Sequence, residues 1–224
     1  MRLAIFNGSP RGKSSNTSRL LGNFVKGFTG GGGVVTSYNY LIKESDIHNH
    51  LKNFIEAETI LLAFPLYVDS LPGIVKNFIE ETAGFDGKEK KILFLVHSGF
   101  PEGVHSAGVT KYLELLAKRW GIKCLGIIVK PGSEGIRIQS ESKNKKLFQN
   151  FEKLGKVLAK TGSLDMEIVD KMKKPYRFPK FALLIFNVLK QSGKVDSYWN
   201  YNLKKNNVYE QRFNAPYLEK KASD

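Results

Sequence analysis

Short apolar runs recur along roughly the first 160 residues of the chain, separated by longer segments of mixed polarity. Most runs are rich in Leu, Ile, Val and Phe and stop at glycine, proline or a polar residue. Runs of this length without polar alternation are typical of strands buried on both faces. Five strands are predicted, at residues 3–6, 34–41, 59–64, 91–97 and 122–129.

Between these runs, apolar residues return every three to four positions, as on one face of a helix. The first such segment follows Ser15 and Asn16, either of which can cap a helix, and ends at the glycines of 30–33. Further helices are predicted at residues 46–57, 74–82, 107–120 and 144–160. Strands that alternate with helices favour a parallel sheet covered on both faces. The predicted fold class is therefore doubly wound α/β.

The alternation stops near residue 160, so we divide the chain into a domain at 1–160 and an extension at 161–224. The extension holds one candidate helix, at 181–190, between basic and aromatic stretches. We expect it to pack on the domain or on a partner subunit. The alternative, in which this helix lies in a membrane interface with its lysines toward anionic lipid, is less favoured. No apolar run approaches the roughly 20 residues that span a bilayer.

Net charge and cysteine content limit the partners and the kinds of site that the chain can have. The chain has 35 Lys and Arg against 21 Asp and Glu, a net charge of +14, which suits a polyanion, an acidic membrane or a phosphorylated ligand. Cys124 is the only cysteine, so no disulfide or cysteine cluster can form within the chain, and we expect a cytoplasmic protein. His48 and His50 are badly spaced for a metal, and we expect both to be solvated.

A ligand of an open parallel sheet binds outside the carboxyl ends of the strands. The loop after the first strand offers hydroxyls, a guanidinium, an ammonium and the amides of a helix start, which together suit a phosphate. A capped helix start would account for only one or two of these groups. The predicted phosphate-binding residues are Ser9, Arg11, Lys13, Ser14, Ser15, Asn16 and Thr17.

The spacing in this loop excludes two common nucleotide sites. Gly8 and Gly12 enclose three residues, whereas a Walker A loop needs four before its Gly-Lys-Ser triplet. The Gly-x-Gly-x-x-Gly fingerprint of a dinucleotide site is also absent after the first strand. A mononucleotide with one terminal phosphate fits best.

Two further strand-end loops carry apolar and aromatic groups that suit a flat ring. They contain no acid and base pair of clear catalytic spacing, so we assign no catalytic side chain and no metal site. His97 can donate a hydrogen bond to a ligand, but a structural role is at least as common for such a histidine. The predicted ring contacts are Pro65, Leu66, Tyr67, Val68, Asp69 and Ser70, with His97, Ser98, Gly99 and Phe100.

These loops resemble those of the flavodoxin-like NAD(P)H-dependent FMN reductases and quinone reductases. Residues 8–11 with 15–17 are similar to the FMN-phosphate loop of that family, residues 65–67 with 70–73 to its isoalloxazine loop, and residues 97–99 to its third flavin contact. The resemblance covers about residues 1–160. The first two motifs are specific only in combination.

The resemblance implies a strand order of 2-1-3-4-5, with FMN bound at the topological switch point between strands one and three. It also implies hydride transfer from NAD(P)H through FMN to a small acceptor such as a quinone or free flavin, in a homodimer or homotetramer. An electron carrier of similar fold is the first alternative, although such carriers are usually acidic. A basic protein that binds nucleic acid or a membrane surface without enzymatic activity is the second; no nucleic-acid motif is present, so we expect no such partner.

Overall fold

The structure of the chain is a computed structural model that describes residues 1–182, 185, 188 and 196–215. Its backbone contacts divide the chain into two units, Met1–Arg177 and Phe178–Asp224. In the described part, no helix is long and apolar enough to cross a bilayer.

A five-stranded, entirely parallel sheet forms the centre of the first unit, in the order β2-β1-β3-β4-β5. The strands are β1 (Arg2–Asn7), β2 (Val34–Tyr40), β3 (Thr59–Pro65), β4 (Lys91–His97) and β5 (Lys123–Lys130). Every residue of β3 is buried, as its uninterrupted apolar sequence predicts. The doubly wound α/β class and the flavodoxin-like strand order are therefore confirmed.

Helices cover both faces of this sheet. They are α1 (Asn16–Gly30), α2 (Ile47–Glu56), α3 (Gly73–Glu81), α4 (Ala107–Arg119) and α5 (Glu141–Thr161). One core joins the sheet to α2, α3 and α4 and contains the ring cluster of Phe6, Phe54 and Phe78. The other core joins the opposite face to α1 and α5. The helices and strands predicted within residues 1–160 begin and end within three residues of these bounds.

A sixth helix, α6 (Met166–Met172), was not predicted. The Asp165 side chain caps it by accepting a hydrogen bond from the Ile168 amide at 3.2 Å. Its residues Ile168, Val169 and Met172 are buried in the core of the first unit. Because the helix has only two turns, its apolar residues are too few to show a clear helical period.

The second unit contains α7 (Ser197–Lys205) and a 3-10 turn at Tyr209–Gln211. The helix predicted at 181–190 lies largely outside the described residues. Its members 181, 182, 185 and 188 are described, and all four are helical.

One histidine prediction is wrong. His48 is exposed as expected, but His50 is buried, with Nε2 3.0 Å from the carbonyl oxygen of Tyr40. Burial lowers the pKa of His50 from its usual value. The ring fills the space between α2 and β2, which the sequence alone does not locate.

Helices α1 and α5 approach each other closely, and glycine makes this approach feasible. A Cβ added at Gly155 of α5 would lie 2.0 Å from the carbonyl oxygen of Phe24 in α1. A Cβ added at Gly27 of α1 would lie 1.8 Å from the carbonyl oxygen of Glu152. Because these obstacles are backbone atoms, a side chain at either position would push the helices apart.

We predict that Gly155→Ala lowers the free energy of unfolding by about 1–3 kcal/mol through overpacking, measured by urea denaturation. Gly22→Ala is the matched control, because Gly22 is an exposed α1 residue whose added Cβ would meet nothing within 4 Å. That control should stabilise the protein by about 0.5–1 kcal/mol. Equal effects of the two substitutions would contradict the close approach.

Candidate functional site

The loops that follow β1, β3, β4 and β5 meet at the carboxyl edge of the sheet and form a crevice. Ten of its twelve lining residues are predicted site residues, and the other two lie in the loop after β5. The predicted ones are Ser9, Arg11, Ser15, Asn16, Pro65, Leu66, Tyr67, His97, Ser98 and Gly99, and the others are Ser133 and Glu134. This is the edge where an open parallel sheet binds its ligand.

The N-terminus of α1 provides free hydrogen-bond donors in this crevice. Ser15 caps the helix: its hydroxyl donates to the carbonyl oxygen of Gly12 at 2.7 Å and accepts from the Ser18 amide at 3.1 Å. The backbone amides of Asn16 and Thr17 have no hydrogen-bond acceptor among the described residues. Unpaired amides at the positive end of a helix dipole favour an anion.

Two polar side chains beside these amides also have unused capacity. The Arg11 guanidinium is exposed and forms no ion pair within the described ranges. Asn16 donates from Nδ2 to the carbonyl oxygen of Ser133 at 2.8 Å, whereas its buried Oδ1 has no partner in the described part of the chain. A bound anion can satisfy the guanidinium, and a ligand hydroxyl can donate to Oδ1.

His97 lies beneath the crevice with both ring nitrogens engaged. Nε2 is 2.7 Å from the Thr17 hydroxyl, and Nδ1 is 2.8 Å from the Ser133 hydroxyl. Ser133 itself donates to the carbonyl oxygen of Ser98 at 2.8 Å, so Nδ1 carries the proton and donates to Ser133, and Thr17 donates to Nε2. This network engages the Thr17 hydroxyl and both nitrogens of the His97 ring, so these two side chains serve to position the crevice, whereas the Thr17 backbone amide stays unpaired among the described residues.

Burial keeps His97 neutral. Desolvation, reinforced by the positive charges of Lys130 and Arg11, lowers the pKa of His97 to about 3. Burial also lowers the pKa of Lys130, at the end of β5. A neutral ring is what the network requires, because a protonated Nε2 could not accept from Thr17.

The loop after β3 contains a strained two-residue turn. Tyr67 and Ser70 exchange backbone hydrogen bonds of 2.9 and 3.0 Å, and the two residues between them, Val68 and Asp69, have φ of 48° and 57°. A β-branched residue rarely adopts this left-handed conformation, and Val68 is also 96% exposed. Strain of this kind is concentrated at ligand-binding sites.

His105, which is not among the predicted site residues, links this turn to the loop after β4. Its Nδ1 is 3.3 Å from Asp69 Oδ1, and its ring stacks on Phe100 with centroids 4.4 Å apart. The signal for His105 is weak, because it lies five residues beyond Phe100, in the 3-10 turn before α4. Asp69 and Phe100 therefore sit beside the crevice and are joined through His105.

The remaining predicted residues lie outside the lining of the crevice. Lys13 and Ser14 are exposed on the 3-10 turn Gly12–Ser14. Ser133 and Glu134 were not predicted, because they lie in the loop after β5, which is not among the three loops predicted to contact the ligand. The run Lys130–Ser133, which ends a predicted strand with proline and glycine, was the signal that could have identified that loop.

The crevice is not the largest concavity of the first unit. A groove of about 770 Å³ follows the outer edge of β5, between α4 and α6. The crevice encloses only about 60 Å³, far below the roughly 300 Å³ of a small ligand pocket. It can therefore enclose one end of a mononucleotide, such as its phosphate, with the rest in the open cleft. We assign the site to the crevice because the unpaired donors and the strand ends converge there.

We predict that His97 makes the protein less stable in acid. Its folded pKa of about 3 lies below its usual value of 6.5, so the unfolded chain binds a proton that the folded chain excludes. Stability should fall as the pH decreases from 6.5 towards 3, by about 2 kcal/mol between pH ~7.5 and pH ~5, as measured by urea denaturation. His97→Gln should lose less stability over the same interval. An identical loss in both proteins would contradict the assignment.

Solved structures resemble this chain in fold. The Trp repressor binding protein from Bacillus subtilis is 18% identical, with a TM-score of 0.53 over 68% of this chain and 96% of that one. An FMN-dependent NADH-azoreductase from Bacillus anthracis, in complex with FMN, is 14% identical, with a TM-score of 0.55 over 71% and 100%. The NAD(P)H:quinone oxidoreductase from Methanothermobacter marburgensis is 15% identical, with a TM-score of 0.56 over 70% and 96%.

The sequence comparisons define the family. No curated protein matches the chain significantly. A family model described as flavodoxin-like fold matches residues 1–158, which include all five strands of the sheet and every loop of the crevice. The chain therefore belongs to this flavodoxin-like family.

Proposed function

We propose that the chain is an FMN-dependent oxidoreductase that passes a hydride from NAD(P)H to a small electron acceptor. The observation that carries the proposal is the start of α1, where the unpaired amides of Asn16 and Thr17 lie beside Arg11 at the carboxyl edge of the sheet. The resemblance of the loops to those of FMN reductases, and the similarity in fold to an FMN-dependent NADH-azoreductase and an NAD(P)H:quinone oxidoreductase, support FMN as the ligand and NAD(P)H as the donor.

The phosphate of FMN would bind at the start of α1. The two free amides would donate to its oxygens, and the Arg11 guanidinium would supply a charge-assisted hydrogen bond. Asn16 Oδ1 would accept from a hydroxyl of the ribityl chain, which would satisfy an otherwise unpaired buried atom. The chemistry of these groups suits a phosphorylated polyol, because they offer donors to the phosphate and an acceptor to a hydroxyl.

The ring of FMN would lie over the loops that follow β3 and β4. Leu66 and Tyr67 provide apolar and aromatic surface, and Tyr67 is 43% exposed. When bound, FMN would carry out the transfer of hydride and electrons, whereas the protein would bind and orient it. The neutral, fully bonded His97 would hold the loop ends in place and would take no proton itself.

The acceptor would enter on the exposed side of the same loops. Tyr67, Val68 and Phe100 are all exposed there and present apolar surface beside His105 and Asp69. Such a surface suits a small flat molecule, such as a quinone or a free flavin. The excess of cationic residues favours this reductase over an electron carrier, since a basic surface attracts anionic nucleotides. A homodimer or homotetramer and a cytoplasmic location remain predictions.

We predict that Arg11→Ala weakens FMN binding about tenfold, because it removes a charge-assisted hydrogen bond to the phosphate. Riboflavin, which lacks the phosphate, should bind the variant and the unsubstituted protein equally well. Quenching of flavin fluorescence measures both affinities.

Arg2→Ala is the matched control for this experiment. Arg2 is an exposed arginine at the opposite end of β1, 3.8 Å from Glu58, so its loss changes the net charge equally. This variant should bind FMN normally. Equal losses in the two variants, or a loss of riboflavin binding in Arg11→Ala, would contradict the phosphate role.

We also predict that the FMN-loaded protein is reduced by NADH or NADPH under anaerobic conditions. Flavin absorbance near 450 nm should bleach on addition of the nucleotide and return when a benzoquinone is added. Stopped-flow absorbance measures both half-reactions. A protein that binds FMN but is not reduced by either nucleotide would be a carrier, and the proposed activity would be wrong.

A further inference from the structure

The described residues of the second unit include three exposed apolar side chains on one helix face. Phe181, Ile185 and Val188 are helical and follow the i, i+4, i+7 spacing of one helix face. Their side chains are 67%, 53% and 62% exposed. The sequence predicts that the helix at 181–190 packs against protein. In the structure, however, these three side chains are open to solvent.

Aromatic side chains extend the exposed surface of this unit. Trp199 and Tyr201 of α7 are 66% and 64% exposed, and Phe213 is 84% exposed. Trp and Tyr are amphipathic, and they concentrate where an apolar phase meets water. The large exposed side chains of the unit are therefore of the types that settle at a lipid boundary.

Cationic side chains are also exposed in the second unit. Residues 178–215 contain six Lys and Arg against two Asp and Glu, a net charge of +4. Lys180 precedes Phe181, and the exposed pair Lys204 and Lys205 ends α7. The Arg212 guanidinium stacks 4.0 Å from the ring centre of Tyr209. The second unit thus exposes both apolar and cationic side chains, and a partner that complements both is apolar and anionic.

This charge distinguishes a membrane from a second copy of the chain. A symmetric dimer through this face would bring one segment of charge +4 against another, and such juxtaposed like charges oppose association. A bilayer that contains anionic phospholipid accepts the apolar face and attracts the lysines at the same time. We propose that the second unit attaches the protein peripherally, through its described exposed apolar and cationic side chains, to the surface of anionic phospholipid bilayers.

The test is sedimentation of the full chain with large unilamellar vesicles. Vesicles of phosphatidylcholine with about 30% phosphatidylglycerol should bind the protein at least tenfold more tightly than vesicles of phosphatidylcholine alone. About 0.5 M salt should remove most of this difference, because exposed charges are screened. Binding that is absent, or equal for the two compositions, would overturn the proposal.

Two matched pairs of variants locate the contact. Ile185→Asp should weaken binding to the anionic vesicles at least tenfold, whereas Ile55→Asp should not, since Ile55 is equally exposed (55% against 53%) but lies on α2 of the first unit. Exchange of Lys204 and Lys205 for Glu should weaken binding similarly. The same exchange at Lys145 and Lys146 of α5, also an exposed pair, should weaken it much less.

The same variants separate a membrane from a protein partner. Sedimentation equilibrium without lipid should give the same mass for Ile185→Asp and the unsubstituted chain, and circular dichroism should show equal folding. If Ile185→Asp dissociates an oligomer and the unsubstituted chain does not sediment with the vesicles, the helix face of Phe181, Ile185 and Val188 binds a second copy and the proposal is wrong. Because no flavin is used, the outcome does not depend on the proposed oxidoreductase activity.

Discussion

Burial of His97 between Thr17 and Ser133 fixes where α1 begins relative to the ends of β4 and β5. Each ring nitrogen makes one hydrogen bond, and the Ser133 hydroxyl in turn donates to the carbonyl oxygen of Ser98. The network is directional and needs a neutral ring, which desolvation provides. The crevice depends on it, because Asn16 reaches the Ser133 carbonyl only when the two loops are held together.

The sheet was predictable because its strands are buried on both faces. An apolar run such as 59–64 is too short for a typical helix and ends at a proline, so it favours a strand, and the observed β3 is buried along its whole length. Elements that depend on tertiary contacts were not predictable. The two turns of α6 are stabilised by packing against β5, and so short a helix shows no clear hydrophobic period in the sequence. His50 is buried because α2 packs beside the end of β2, a contact that the sequence does not reveal.

The position of the candidate site was predictable where the chemistry of a loop coincides with its place at the carboxyl edge of the sheet, although the ligand that it binds stays a prediction. The loop after β1 combines a helix start with Arg11, and the structure leaves the Asn16 and Thr17 amides unpaired there. Which side chains would remain free could not be predicted, because that depends on partners distant in sequence. The Thr17 hydroxyl, for example, is hydrogen-bonded to His97, 80 residues away in the sequence.

The central claim is that the start of α1 binds the phosphate of FMN. A crystal structure of the full chain grown with FMN tests this most directly. The account predicts phosphate oxygens within hydrogen-bonding distance, about 2.7–3.2 Å, of the Asn16 and Thr17 amides, with the Arg11 guanidinium turned toward them. Flavin bound elsewhere, such as in the groove along β5, or a phosphate that contacts neither amide, would contradict it.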